Sequence, residues 1–132
     1  MRKLHRMLNT AYMEKFRSFG LRGSMVSILF IIGKRPGVHQ KILAESLVLD
    51  QSTISRDIKS LQKKGWLTIS RGQDPRQSEL RLTKEGCLLL EKVAPLWNEL
   101  QTKVEHILGS FNIQHIDSII AAIGSKMPEL RK

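Results

Sequence analysis

Residues 50–65 read DQSTISRDIKSLQKKG, and the reading of this stretch decides the fold. On a helical wheel stepped at about 100° per residue, Ile58 and Leu61 fall within about 40° of Ile54 and form one apolar seam. Ser52, Arg56, Lys59 and Lys63 lie opposite, with Thr53 and Ser60 on one shoulder and Ser55 on the other. Asp50 is suited to the N-cap, where its carboxylate accepts from the unpaired backbone N–H groups of the first turn. Gly65 is suited to the left-handed residue that ends a helix, with Lys63 and Lys64 against the negative end of the dipole. The spacing thus predicts a helix over about 51–64, held from one side and offering hydroxyls, amides and cations on the other.

Working outward, the preceding segment 38–47 (VHQKILAESL) predicts a short helix with Leu43, Ala44 and Leu47 inward. Two short helices joined by a few residues outline a helix-turn-helix. After it come two alternating segments, WLTIS (66–70) and ELRLT (79–83), in which Leu67, Ile69, Leu80 and Leu82 share a face. Their connection RGQDPRQS (71–78) is charged and too long for a tight turn. A helix-turn-helix followed by such a hairpin is a winged helix.

The remaining segments are helical. Residues 3–19 place Leu4, Leu8, Tyr12, Phe16 and Phe19 along one side, SFGLRG breaks the run, and 24–33 is apolar enough to be buried nearly all round. KRPG is a turn. Thr83 caps a long helix to about Leu108, in which Pro95 predicts a kink or break near Ala94. A last helix spans about 112–124. The fold class is therefore mainly α with a small β-hairpin, a winged helix-turn-helix (22–86) flanked by helices at 1–20 and 87–132, in a single domain over 1–132.

Charge points to the partner. The 132 residues carry 22 Lys and Arg against 12 Asp and Glu, a net charge of +10. Segments 1–33, 34–86 and 87–132 carry net +5, +5 and 0. A one-sided basic balance favours a polyanion, nucleic acid first and an anionic membrane second. The longest uncharged apolar run, Gly23 to Gly33, is too short to span a bilayer, so no membrane partner is expected. The basic N-terminus lacks the apolar core of a signal peptide. A single cysteine, Cys87, excludes an intramolecular disulfide and fits a reducing cytoplasm.

A major groove admits a helix and offers acceptors on guanine and mixed donor–acceptor edges on adenine. Candidate DNA-binding residues are Gln40, Gln51, Ser52, Thr53, Ser55, Arg56, Lys59 and Lys63 on the two helices, and Arg71, Asp74 and Arg76 in the wing. Arg56 suits guanine or phosphate, and Lys59 and Lys63 suit phosphates. Asp74 suits the orientation of an arginine. The bland alternatives are an amphipathic surface helix and a solvated turn. The offsets of the preceding helix, the capped turn and the charged hairpin together favour the functional reading.

Those residues carry a family resemblance. Leu43-Ala44, Ser52-Thr53-Ile54-Ser55-Arg56, Leu61-Gln62-Lys63-Lys64-Gly65, Asp74-Pro75-Arg76 and Leu82-Thr83-Lys84-Glu85-Gly86 occur in the order found in the DNA-binding core of the MarR family of transcriptional regulators, which the sequence resembles over about 45 residues. The resemblance implies a homodimer built from the N-terminal and last two helices, and a recognition helix at about 51–64 in the major groove. It also implies Arg76 in the minor groove, double-stranded DNA as partner, and repression released by a small-molecule effector. Tyr12, Phe16, Phe30 and Trp97 are candidate effector walls, with core packing the favoured reading. A winged-helix protein-interaction module and a sequence-tolerant DNA-binding protein are the alternatives. No nucleophile–base pair, phosphate loop or metal-ligand spacing stands out, so no enzyme, cofactor or metal is expected. Cys87 reads as a small buried side chain.

Overall fold

The computed structural model describes residues 1–71, 73–74 and 77–132. It divides into two compact units, 1–96 and 97–132. The first opens with α1 (Arg2–Phe16), continued by a 3-10 turn (Arg17–Phe19) that ends at Gly20 in the left-handed conformation. Then follow α2 (Met25–Lys34), β1 (Val38–His39), α3 (Gln40–Leu47), α4 (Gln51–Lys63), β2 (Leu67–Ser70), β3 (Glu79–Leu82) and α5 (Lys84–Leu130).

α2 is the hub, because its side chains are apolar on almost every face. Met25, Val26, Ile28, Leu29 and Ile32 are each at most 1% exposed. Leu43 and Ala44 of α3, Ile54, Ile58 and Leu61 of α4, and Leu67 and Leu80 of the strands complete one core with Phe16, Leu21 and Val93. Leu47 is half-buried.

The strands form a three-stranded antiparallel sheet in the order β1-β3-β2. Leu67 faces Leu82 and Ile69 faces Leu80, as the alternation predicts. The third strand corrects the expected helix over 38–47. Val38 pairs with Leu80 and His39 with Glu79, and α3 begins only at Gln40. Gly37 makes the entry possible at φ +84°, a conformation that glycine adopts without strain, and its N–H donates to the Leu80 carbonyl at 2.8 Å.

Two of the motif residues explain each other here. The Thr83 hydroxyl donates to the Gly65 carbonyl at 2.6 Å and accepts from the Gly86 N–H at 3.0 Å, so one side chain caps α5 and ties it to the end of α4. A Cβ on Gly86 would overlap the Trp66 carbonyl, so only glycine permits that approach.

α5 corrects the expectation at Pro95. Its single non-helical residue is Gly109 (φ 78°, ψ 157°), a region essentially reserved for glycine, and the dihedral angles at Ala94 and Pro95 stay helical. Cys87, expected to be buried, is exposed. The second unit, taken by itself, consists of helical residues on either side of Gly109, and none of residues 97–132 is buried. Ile107, Phe111, Ile119, Ile120 and Ile123 are exposed there, Ile107 to 82%.

Candidate nucleic-acid interface

The interface is built on α4. Ile54, Ile58 and Leu61 are at most 1% exposed and anchor its inner face. Its start is fixed by Asp50, whose carboxylate accepts from the Thr53 N–H at 2.7 Å and the Ser52 hydroxyl at 3.1 Å. The hydrogen bonds from Thr53, first, and from Ser52, together with the Arg56 charge, hold the Asp50 carboxyl below its usual value of 3.8. At the far end, Lys64 donates to the Gly20 carbonyl and lies 5.2 Å from the Trp66 ring centroid, while Gly65 turns the chain at φ +81°.

The turn into α4 carries Val48 in the left-handed conformation (φ 53°, ψ 45°), at 56% exposure. A β-branched side chain is strained there.

The structure exposes Ser52, Arg56, Lys59 and Lys63 together on the outer face of α4 and Gln51 at its amino end, and half-buries Thr53 and Ser55 on its flanks. Gln40, at the start of α3, donates through Nε2 to the Ser55 hydroxyl at 2.7 Å, which joins the two helices of the motif. Arg71 and Asp74 are exposed in the connection between β2 and β3. Gly72, Pro75 and Arg76 lie outside the described residues, and with them the expected minor-groove arginine. The root of the wing is tied to β1, where the His39 ring Nδ1–H donates to the Gln77 carbonyl at 2.9 Å and the Gln40 N–H to the Ser78 carbonyl at 3.2 Å.

One positioning residue escaped the sequence reading. Asp57, on the inner side of α4, is 8% exposed and accepts from the Ser24 hydroxyl at 2.7 Å, which fastens α4 to the start of α2. The signal was available, since Asp57 sits about 60° from Ile54 on the wheel, at the edge of the buried seam. Among the candidate effector walls, Phe16 is 2% exposed and belongs to the core of the first unit. Among the described residues no group of three or more His, Cys, Asp or Glu is placed to hold a metal, and no helix is long and apolar enough to cross a membrane.

A helix-turn-helix with a wing on a three-stranded sheet is the fold of the winged-helix transcriptional regulators. Within that class, residues 24–77 match the model of the MarR family. It is similar to the uncharacterized HTH-type transcriptional regulator YwoH of Bacillus subtilis (strain 168), 33% identical over 73 residues, which are 55% of this chain and 53% of that protein. The match thus spans about half of that relative's length. The HTH-type transcriptional regulator BilQ of Clostridium symbiosum is 26% identical over 106 residues, 80% of this chain and 74% of that protein. Among solved structures, the M. tuberculosis transcriptional regulator MosR in complex with DNA superposes with a TM-score of 0.82 at 26% identity, over 99% of this chain and 95% of that one.

Proposed function

We propose that this chain is a sequence-specific regulator of transcription that binds double-stranded DNA. It acts in the cytoplasm as a homodimeric repressor on a pseudo-palindromic operator. The observation that carries the reading is α4 itself. Its apolar seam is buried to 1% or less while Ser52, Arg56, Lys59 and Lys63 stand exposed on one face, with Gln51 exposed at the amino end, in a basic segment. Hydroxyls and amides near the amino end suit base edges and phosphates, where the positive helix terminus also points. Lysines alone would have sufficed for binding without sequence preference. MosR, solved with DNA, supports the same reading.

Leu4 and Met7 of α1 are more than half exposed in the first unit, as are Ile107, Phe111, Ile119 and Ile120 in the second. In a dimer such apolar surface is covered by a second copy. Two recognition helices then enter major grooves about 34–36 Å apart, one turn of duplex. Occupancy of the operator blocks polymerase, and a small-molecule effector releases it.

The test is Arg56→Ala. Arg56 is exposed on α4 and lies outside the core, so the melting temperature should not change. Loss of a bidentate base contact should weaken operator binding by about 5- to 150-fold. Unchanged affinity would remove α4 from the reading of sequence.

A further inference from the structure

The flank of α4 that faces the wing is concave. A cleft of about 200 Å³ lies between α4 and the residue that follows β2, with Ile58 and Ile69 in its apolar lining and Gln40, Ser55, Lys59 and Arg71 supplying most of its polar groups. Two of these are cations, and among the described residues that line it none is a carboxylate.

The polarity of the cleft follows from one hydrogen bond. A hydroxyl has one proton to give and two lone pairs to accept with. The Ser55 oxygen already accepts from Gln40 Nε2 at 2.7 Å, in a partly buried setting, so its own proton is left to point elsewhere. The cleft therefore gathers an ammonium, a guanidinium and an O–H as donors, with the Gln40 carboxamide oxygen and the Ser78 hydroxyl also in its lining. A base edge such as that of adenine needs donors and acceptors together. A set with two cationic donors and, among the described residues, no carboxylate suits an oxyanion.

We propose that this cleft seats a single phosphate of the DNA backbone, held by Lys59, Arg71 and the Ser55 hydroxyl, with Gln40 as the positioning residue that turns the Ser55 proton toward it. The proposal rests on the DNA-binding reading of the same face and deepens it. Lys59 and Arg71 share one phosphate instead of holding one each, and Gln40 acts without touching DNA. A shared phosphate fixes the spacing of α4 and the wing along the backbone, which sets the register of any base contact that α4 makes.

The experiment is a set of titrations of the full-length protein against a duplex carrying the DNA upstream of its own gene, between 50 and 200 mM potassium chloride. Each phosphate neutralised contributes about 0.9 to the slope of log affinity against log salt. The double variant Lys59→Ala/Arg71→Ala should lose about 0.9 from the slope, whereas two independent phosphates would cost about 1.8. Ser55→Ala should weaken binding about tenfold, the scale of a hydrogen bond to a charged group, and leave the slope unchanged. Gln40→Met should weaken binding severalfold in the wild-type background and have no effect once Ser55 is alanine. A purely structural role for the Gln40–Ser55 bond would show instead as a fall in melting temperature shared by Gln40→Met and Ser55→Ala, which the proposal does not expect.

A slope change near 1.8, or a Gln40→Met effect indifferent to Ser55, overturns the shared seat and leaves DNA binding intact. Failure of the folded wild-type protein to bind any duplex overturns the parent reading and this one with it. Replacing chloride by inorganic phosphate at equal ionic strength separates the two sources of the anion. Competition with the duplex that disappears in the double variant is expected, since both anions then use one seat. Phosphate that binds the wild-type protein but not the double variant, and leaves duplex binding unchanged, would make the cleft a free-oxyanion site and overturn its assignment to DNA.

Discussion

Asp57 and Ser24 offer the most direct probe of what holds α4 in place. The Ser24 hydroxyl meets the Asp57 carboxylate at 2.7 Å, within the short range of a charge-assisted O–H···O⁻ bond, and Asp57 is 8% exposed. A hydrogen bond to a charged group contributes about 1.5–3 kcal/mol, and a neutral one about 1. Ser24→Ala should therefore destabilise the fold by about 2 kcal/mol. Asp57→Asn, which keeps an acceptor of the same shape, should cost about 1 kcal/mol less than Asp57→Ala. The double variant Ser24→Ala/Asp57→Ala should cost less than the sum of the single variants, with a coupling of about 1–2 kcal/mol. Urea denaturation followed by circular dichroism measures all four. In a domain of this size about 1 kcal/mol appears as roughly 3–5 °C in the melting temperature. Additive single and double variants, with coupling under about 0.3 kcal/mol, would show that the pair does not fasten α4 to α2.

Two further perturbations test the ends of α4. Because hydrogen bonds to Thr53 and Ser52 depress the Asp50 carboxyl in the folded state, its stabilising effect is present above the unfolded value and is lost as pH falls through the lower folded one. The melting temperature of Asp50→Ala should lie below that of the wild type at neutral pH and converge on it below about pH 4. A gap that does not change with pH would remove the cap from the account. Val48→Gly relieves a β-branched residue at φ 53°, a conformation that costs about 1–2 kcal/mol, and gives back part of that through the freer unfolded chain. A net gain of about 0.5–1 kcal/mol in chemical denaturation is expected, and a loss would contradict the strain.

The limits of α4 were legible because both are written locally. Asp50 caps through its own side chain, Gly65 turns through its own backbone, and the Ile54, Ile58 and Leu61 seam repeats at helical spacing. The hairpin was legible from the alternation of Leu67 with Thr68 and of Leu80 with Arg81. What was not legible depends on partners far away in the chain. Val38 and His39 form a strand only because β3 arrives some forty residues later, and nothing in VHQK marks it. Gln40 and Ser55 were both candidate contacts, yet their bond to each other appears only when α3 and α4 pack. Pro95 drew the expected break because it lacks an N–H, but a long helix can absorb one missing bond, and the backbone departed from helical geometry at Gly109. Cys87 reads in the sequence as a small buried side chain, whereas that turn of α5 buries Gly86 against Trp66 and leaves Cys87 outside.

The central claim is that α4 and the wing read DNA by sequence. The measurement that meets it most directly is a titration of the purified protein against two labelled duplexes, one carrying the DNA upstream of its own gene and the other the same composition scrambled, each at about 50 and 200 mM salt. The account predicts that both affinities fall at the higher salt while the preference for the upstream duplex survives, since base contacts do not depend on released counterions. Equal binding to the two duplexes, lost in parallel as salt rises, would contradict it.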